Sequence, residues 1–266
     1  MDKAEYNPTE RLFDRYCDAM GYKSLLIPPA TAPTADRMVE TPDGRMVVEV
    51  EGYGFSRADR ALEAEIIGRG GHKVMLGLLG RERLNDAFKR ARRQLAQPEY
   101  EGLPRVLMIG RHPYVDTGPF AIQAIMYGDP YISLPIGPEG PEGEPESRFP
   151  MRGRLRHPGG PISAVAVIDE VCPDAVTFGR LLHDENERVK REQGELERPA
   201  AIVRLLELSE RIRRAHPELD LEEQVPCLQV HENVYAAAVL PRTIFWGRYD
   251  RRWGPIGEQY REIVRS

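Results

Sequence analysis

The stretch from Arg37 to Glu51 constrains this chain more than any other. Two runs of strand composition, Arg37 to Thr41 and Arg45 to Glu51, are separated by the turn residues Pro42-Asp43-Gly44, which predicts an antiparallel hairpin. Side chains alternate along a strand, so Met46, Val48 and Val50 share one face while Val47, Glu49 and Glu51 share the other. The first face must be buried. The second carries two carboxylates, and Asp36 stands 13 positions before Glu49 at the start of the partner strand. Three such carboxylates could converge on a hard divalent cation, which prefers oxygen ligands; the alternative is a solvated face on which Glu49 and Glu51 simply stay wet.

The neighbouring segments predict what the hairpin packs against. Asn7-Pro8-Thr9-Glu10 combines a capping residue, Pro at the first helical position and an acid able to reach back, starting a helix that runs to about Met20. Leu12, Phe13, Tyr16, Cys17 and Met20 form its apolar stripe. Lys23 to Ile27 reads as a strand closed by Pro28 and Pro29. Residues 56 to 67 read as helical. A further helix over Glu82 to Gln97 carries Leu84, Ala87, Phe88, Ala91 and Leu95 on one side and Arg83, Lys89, Arg90, Arg92 and Arg93 on the others. Arg105 to Ile109 is a short apolar run suited to a buried strand. Residues 120 to 126 read as a helix and 131 to 134 as a strand. The expected fold is therefore α/β, a mixed central sheet with an αβββαβ core in residues 1–135. A Pro/Gly-rich loop or linker with an acidic and then a basic half follows over 136–161, then a C-terminal α/β extension over 162–266, either separate from the core or packed with it as one domain. In that extension, strands are expected at 163 to 168 and 227 to 230, a charged stretch extends to about Glu197, and a helix spans 200 to 215.

With the helix bearing Glu10, the hairpin bearing Ala35-Asp36 and Val48-Glu49-Val50-Glu51, and the helix bearing Gln94, residues 5 to 110 resemble the PD-(D/E)xK nuclease superfamily. The resemblance implies a Mg²⁺ (or Mn²⁺) ion held by Asp36, Glu49 and the backbone carbonyl of Val50. Glu10 would support that site, and Lys89 and Gln94 would lie on the helix beside it. Glu51 would add a ligand or accept a proton from water. It further implies hydrolysis of phosphodiester bonds in nucleic acid, with Arg83, Arg90, Arg92 and Arg93 neutralising the backbone. The chain departs from the pattern at two positions: Glu51 occupies the Lys position and Ala35 the Pro position. Some restriction enzymes of the superfamily work with Glu there. The alternative is a nuclease fold kept as a catalytically inactive interaction protein.

Composition narrows the remaining classes. The formal net charge of −5 argues against tight sequence-independent nucleic-acid binding by the whole surface, although a local basic stripe suffices. Five Lys against 32 Arg suits phosphate contacts and equally suits a GC-rich genome. The apolar runs 106 to 109 and 234 to 240 fall far short of the ~20 residues of a membrane span, and residues 1 to 8 lack a signal-peptide core. A cytoplasmic protein is the expectation. Cys17, Cys172 and Cys227 stand in no metal-binding or disulfide spacing, and the six His residues show no paired spacing. Ile66-Ile67-Gly68-Arg69-Gly70-Gly71 resembles the GxxG loop of KH RNA-binding domains, with a simple glycine loop as the alternative. Arg248, Arg251 and Arg252 among Trp246, Tyr249 and Trp253 suit either a nucleic-acid contact or a packing cluster.

Overall fold

Asn7 starts the first helix, α1 (Pro8–Met20), by accepting a hydrogen bond from the Thr9 amide at 3.0 Å. Gly21 ends it in the left-handed conformation, φ 67°, which only glycine adopts without strain. The computed structural model describes residues 7–29, 33–52, 81–112, 115–128, 131–133, 136–137, 140–141, 146–148, 153–155, 158–194, 197–256 and 259–264. The expected helix at 56–67, the glycine cluster at 68–71, His72 and His157 lie outside these residues.

Three antiparallel strands follow: β1 (Lys23–Leu26), β2 (Arg37–Thr41) and β3 (Gly44–Glu51), with Leu26 opposite Arg37 and Arg37 opposite Val48. After α2 (Arg81–Leu95), β4 (Arg105–Gly110) pairs parallel to β3, with Glu49 opposite Leu107 and Glu51 opposite Ile109. Helix α3 (Pro119–Tyr127) comes next. Within the segment expected as a linker, the described residues contribute to two small antiparallel ladders. Strand β5 (Tyr131–Ser133) pairs with β8 (Glu146–Arg148), and β6 (Ile136–Gly137) with β7 (Gly140–Pro141).

The sheet continues through β9 (Ala164–Val171), which is parallel to β4, then β10 (Val225–Glu232), β11 (Arg251–Ile256) and β12 (Gln259–Ile263). Its order is β1-β2-β3-β4-β9-β10-β11-β12, an eight-stranded mixed sheet, so the fold is α/β. Strands β9 to β12 thus extend the core sheet. Two compact units result, one of residues 1–169 with 227–266 and one of residues 170–226. The second contains α4 (Pro173–Gln193) and α5 (Arg198–Ala215), tied by Arg211 to Glu185 and by Arg213 over the Phe178 ring at 5.8 Å. Helix α4 covers most of the expected charged stretch.

Strand alternation decides what each face of the sheet meets. Met46, Val48, Val50 and Met108 are buried in one cluster with Phe13, Tyr16 and Cys17 of α1. Val47, Leu107 and Ile109 are buried in the other with Leu84, Phe88, Ala91 and Leu95 of α2 and Ile122, Ile125 and Met126 of α3. Covered on both faces, β4 reads as a continuous apolar run. Each large side chain so buried contributes roughly 1.5–3 kcal/mol.

At the end of β4 the backbone comes close to the start of α1. A Cβ on Gly110 would lie 2.2 Å from Thr9 Oγ1 and 3.1 Å from Thr9 Cβ, and Thr9 is itself buried. Gly110→Ala should therefore cost about 1–3 kcal/mol, measured by urea unfolding. A cost under about 0.5 kcal/mol would show that α1 yields freely there.

Candidate active site

The carboxylates gather where β2 begins and β3 ends. Continuing the β2/β3 register by one residue puts Asp36 opposite Glu49, and directly opposed residues of an antiparallel pair share a face. Asp36 Oδ2 accepts from the Val50 amide at 2.8 Å, and the Asp36 and Glu49 carboxyls lie close enough for each to influence the other's protonation. Val50 therefore joins the site through its N–H. Its apolar side chain lies on the opposite face with α1, as the alternation requires.

Glu49 is 4% exposed and its Oε2 has no hydrogen-bond partner. Burial, followed by the charges of Asp36 and Glu51, pushes its carboxyl up to about 8, against a smaller opposing effect of a Gln94 hydrogen bond and Arg90. Asp36 is also raised by burial, with the Val50 amide and Arg37 opposing. Two acids pressed together away from water cannot both ionise cheaply, so one proton is retained between them.

Helix α2 places Gln94 and Arg90 on this group, one turn apart. Gln94 donates Nε2 to the Thr34 carbonyl at 3.2 Å, and its side-chain amide opposes the rise of the Glu49 carboxyl. Arg90 forks onto Glu51, Nε to Oε1 at 2.9 Å and Nη2 to Oε2 at 2.7 Å, with the Glu51 side chain 11% exposed and Arg90 49% exposed. From α1, Glu10 meets Arg37 at 3.0 Å, and Asp14 one turn on meets the same guanidinium at 3.4 Å. Arg37 is fully buried and spans from β2 to α1. Burial raises the Glu10 carboxyl, Arg37 opposes, and the Asp36 charge adds to the rise. Glu10 thus belongs to the edge of the acidic group. The cap of α1 is left to Asn7.

Lys89 is not brought in. It pairs with Asp86 at 2.9 Å on the exposed side of α2, because one residue along a helix turns the side chain by about 100°. Arg90, expected only as a backbone-neutralising residue, supplies the cation beside Glu51. Arg92 and Arg93 are exposed in the last turn of α2, and Arg83 is half-buried near its start. Tyr100, not anticipated, ends a short 3₁₀ turn and is buried; burial raises its hydroxyl, and the Glu49 charge adds a smaller contribution. A buried aromatic at the close of a helix carries no catalytic signal of its own in sequence.

The donor set is carboxylate oxygen, suited to a hard divalent cation rather than to a soft one. Among the described residues no group of three or more His, Cys, Asp and Glu side chains is arranged to hold a metal ion, so the expected convergence of Asp36, Glu49 and Glu51 on one cation is not formed, both oxygens of Glu51 being engaged by Arg90. Asp36 and Glu49 would supply two oxygen ligands to such a cation, and the partnerless Glu49 Oε2 is an atom that it would satisfy. Mg²⁺ commonly keeps several waters in sites of this kind.

The Arg-aromatic cluster near the C-terminus is occupied internally. Arg252 is 1% exposed, pairs with Glu232 at 2.6 Å and lies over Trp246; Arg251 pairs with Glu262 and lies over Trp253. Among the described residues, no helix is long and apolar enough to cross a membrane. Compared with family models, curated proteins and solved structures, the chain gives no significant match.

Proposed function

We propose that the protein is a metal-dependent nuclease that hydrolyses phosphodiester bonds in nucleic acid, its centre formed by Asp36, Glu49 and Glu51 with Glu10, Gln94 and Arg90 around them. The observation that carries this reading is the buried Asp36–Glu49 pair with an unpartnered carboxylate oxygen. Such a pair costs the fold stability, and the Glu49 Oε2 it leaves without a hydrogen bond is an atom that a bound cation would satisfy. A Mg²⁺ or Mn²⁺ ion bound there would polarise the phosphodiester and lower the pKa of a bound water.

The chain's own groups do the rest. Asp36 and Glu49 bind through oxygen, and the Val50 amide and Gln94 orient them. Glu51 accepts a proton or adds an oxygen ligand, and Arg90 sets positive charge beside it, where the chain lacks the expected lysine. Arg37 holds Glu10 and Asp14 at the rim.

The test is cleavage of single- and double-stranded DNA and RNA with Mg²⁺ or Mn²⁺ by the wild type and Glu49→Ala. Cleavage should fall by at least about 10²-fold in a variant that remains folded by circular dichroism. A second reading, an inactive nuclease-fold interaction protein, is favoured by the Glu51–Arg90 fork, which neutralises one of the three acids internally. No cleavage of any substrate by the wild type would establish it over the first.

A further inference from the structure

The Glu51–Arg90 fork bears on how nucleic acid would reach this site, and the inference rests on reading the site as a nuclease centre. A guanidinium offers Nε–H and Nη–H in one plane at a spacing that matches the two oxygens of a carboxylate or of a phosphate. On Arg90 that edge is taken by Glu51 through two hydrogen bonds of 2.9 and 2.7 Å. The two partners differ in access: the Arg90 side chain is half-exposed, and that of Glu51 is nearly buried beside Asp36 and Glu49. An incoming anion can therefore reach the guanidinium from solvent.

We propose that Glu51 is the resting occupant of a phosphate subsite on Arg90, and that a backbone phosphate of nucleic acid binds by displacing it. The displaced carboxylate remains next to Asp36 and Glu49, because β3 fixes Glu49 and Glu51 on one face. Released from Arg90, it becomes the third acid available to a divalent cation. Phosphate binding and cation binding then favour each other, since each partner relieves a cost imposed by the other. Glu51 acts here as an internal competitor. This also gives a reason for a carboxylate where a lysine is expected: the positive charge resides on α2, and the strand carries the group that covers it until substrate arrives.

The experiment is fluorescence anisotropy with a labelled phosphodiester oligonucleotide, single-stranded and duplex, in excess EDTA over a series of KCl concentrations. The proteins are the wild type, Glu51→Gln, Arg90→Gln, the Glu51→Gln/Arg90→Gln double variant, and Asp86→Asn. The last removes one negative charge from the exposed side of the same helix and calibrates the effect of charge alone. Glu51→Gln should tighten binding about three- to tenfold beyond Asp86→Asn, the range expected when a partly exposed ion pair no longer competes. Arg90→Gln should weaken binding and reduce the slope of log K against log salt by about 0.7–0.9, the loss of one phosphate contact. In the Arg90→Gln background the Glu51→Gln change should bring no more than the Asp86→Asn effect.

The inference is overturned if Glu51→Gln binds no better than Asp86→Asn, if its gain persists without Arg90, or if no variant binds either oligonucleotide. Arg90→Gln alters a half-exposed side chain, so an unchanged salt slope in it overturns the phosphate subsite even if Glu51→Gln does not fold. Failure here differs from failure of the nuclease reading. Cleavage with equal Glu51→Gln and Asp86→Asn affinities removes only the displacement, whereas displacement without cleavage by any metal removes only the catalysis.

Discussion

Glu49→Gln should make the metal-free protein more stable than the wild type in neutral and mildly alkaline solution, with the advantage vanishing in acid. Burial, with the charges of Asp36 and Glu51, pushes the folded-state carboxyl of Glu49 up to about 8 from its ordinary 4.5. Between those values the unfolded chain has lost this proton while the folded chain keeps it, so folding stability falls as pH rises from about 4.5 to about 8 and then levels. Asp36 leans the same way. A tenfold change in a carboxyl's proton affinity is worth about 1.4 kcal/mol. Relaxation and water entry reduce the sum, leaving an advantage on the order of 2–4 kcal/mol for Glu49→Gln above about pH 8. Urea unfolding with EDTA at about pH 5 and about pH 9 measures it. Parallel stability profiles for the two proteins would mean that Glu49 is not held in the strained pair described. Added Mg²⁺ should raise the melting temperature of the wild type and leave that of Glu49→Gln nearly unchanged, since only the ionised acid gains from the cation.

The second large effect lies at the other end of the sheet. Arg252 on β11 and Glu232 on β10 form an ion pair of 2.6 Å with 1% and 6% of their side chains exposed. Glu232→Ala would leave the guanidinium buried without its counter-charge, a change that costs about 3–5 kcal/mol and lowers the melting temperature by on the order of 10 °C. The Ile244 carbonyl at 2.8 Å and the Pro241 carbonyl at 3.2 Å keep part of the guanidinium satisfied, which favours the lower figure. By contrast, Glu192→Ala removes an exposed pair to Arg188 at 3.2 Å and should shift stability by under about 0.5 kcal/mol. A similar small change on removing Glu232 would refute the assignment of Arg252 to the interior.

The first half of the chain was legible because its signals are local. Asn7 and Pro8 mark a helix start, Pro42-Asp43-Gly44 marks a turn, and the alternation in Arg45 to Glu51 assigns each side chain to a face; all three appear as expected. Helix α4 was hidden because Val176, Phe178, Leu181 and Leu182 give way to a run of charges, which it stabilises through pairs such as Arg188 with Glu185 and Lys190 with Glu187. Strand β11 was hidden because Arg251, Arg252, Gly254 and Pro255 are not strand-forming in composition. Its pairing with a distant β10 on one side and with β12 on the other supplies what local preference lacks. At the site, parity put Glu49 and Glu51 together and the hairpin brought in Asp36. The exchange of Lys89 for Arg90 depends on how α2 is rotated over the sheet, a property of packing that a single helix does not encode.

The order of the central strands also has a consequence in time. Strands β3, β4 and β9 are parallel neighbours drawn from residues 44–51, 105–110 and 164–171, so long lengths of chain must close before the middle of the sheet can form. Loop closure of that kind is slow relative to the β1-β2-β3 meander, which pairs residues close in sequence. The meander can bring Asp36 and Glu49 together while both are still hydrated and charged. Desolvation comes only when β4 and α2 dock over them. The unfavourable burial of the acid pair therefore falls late in assembly, where it weakens the finished protein more than it slows the search for it.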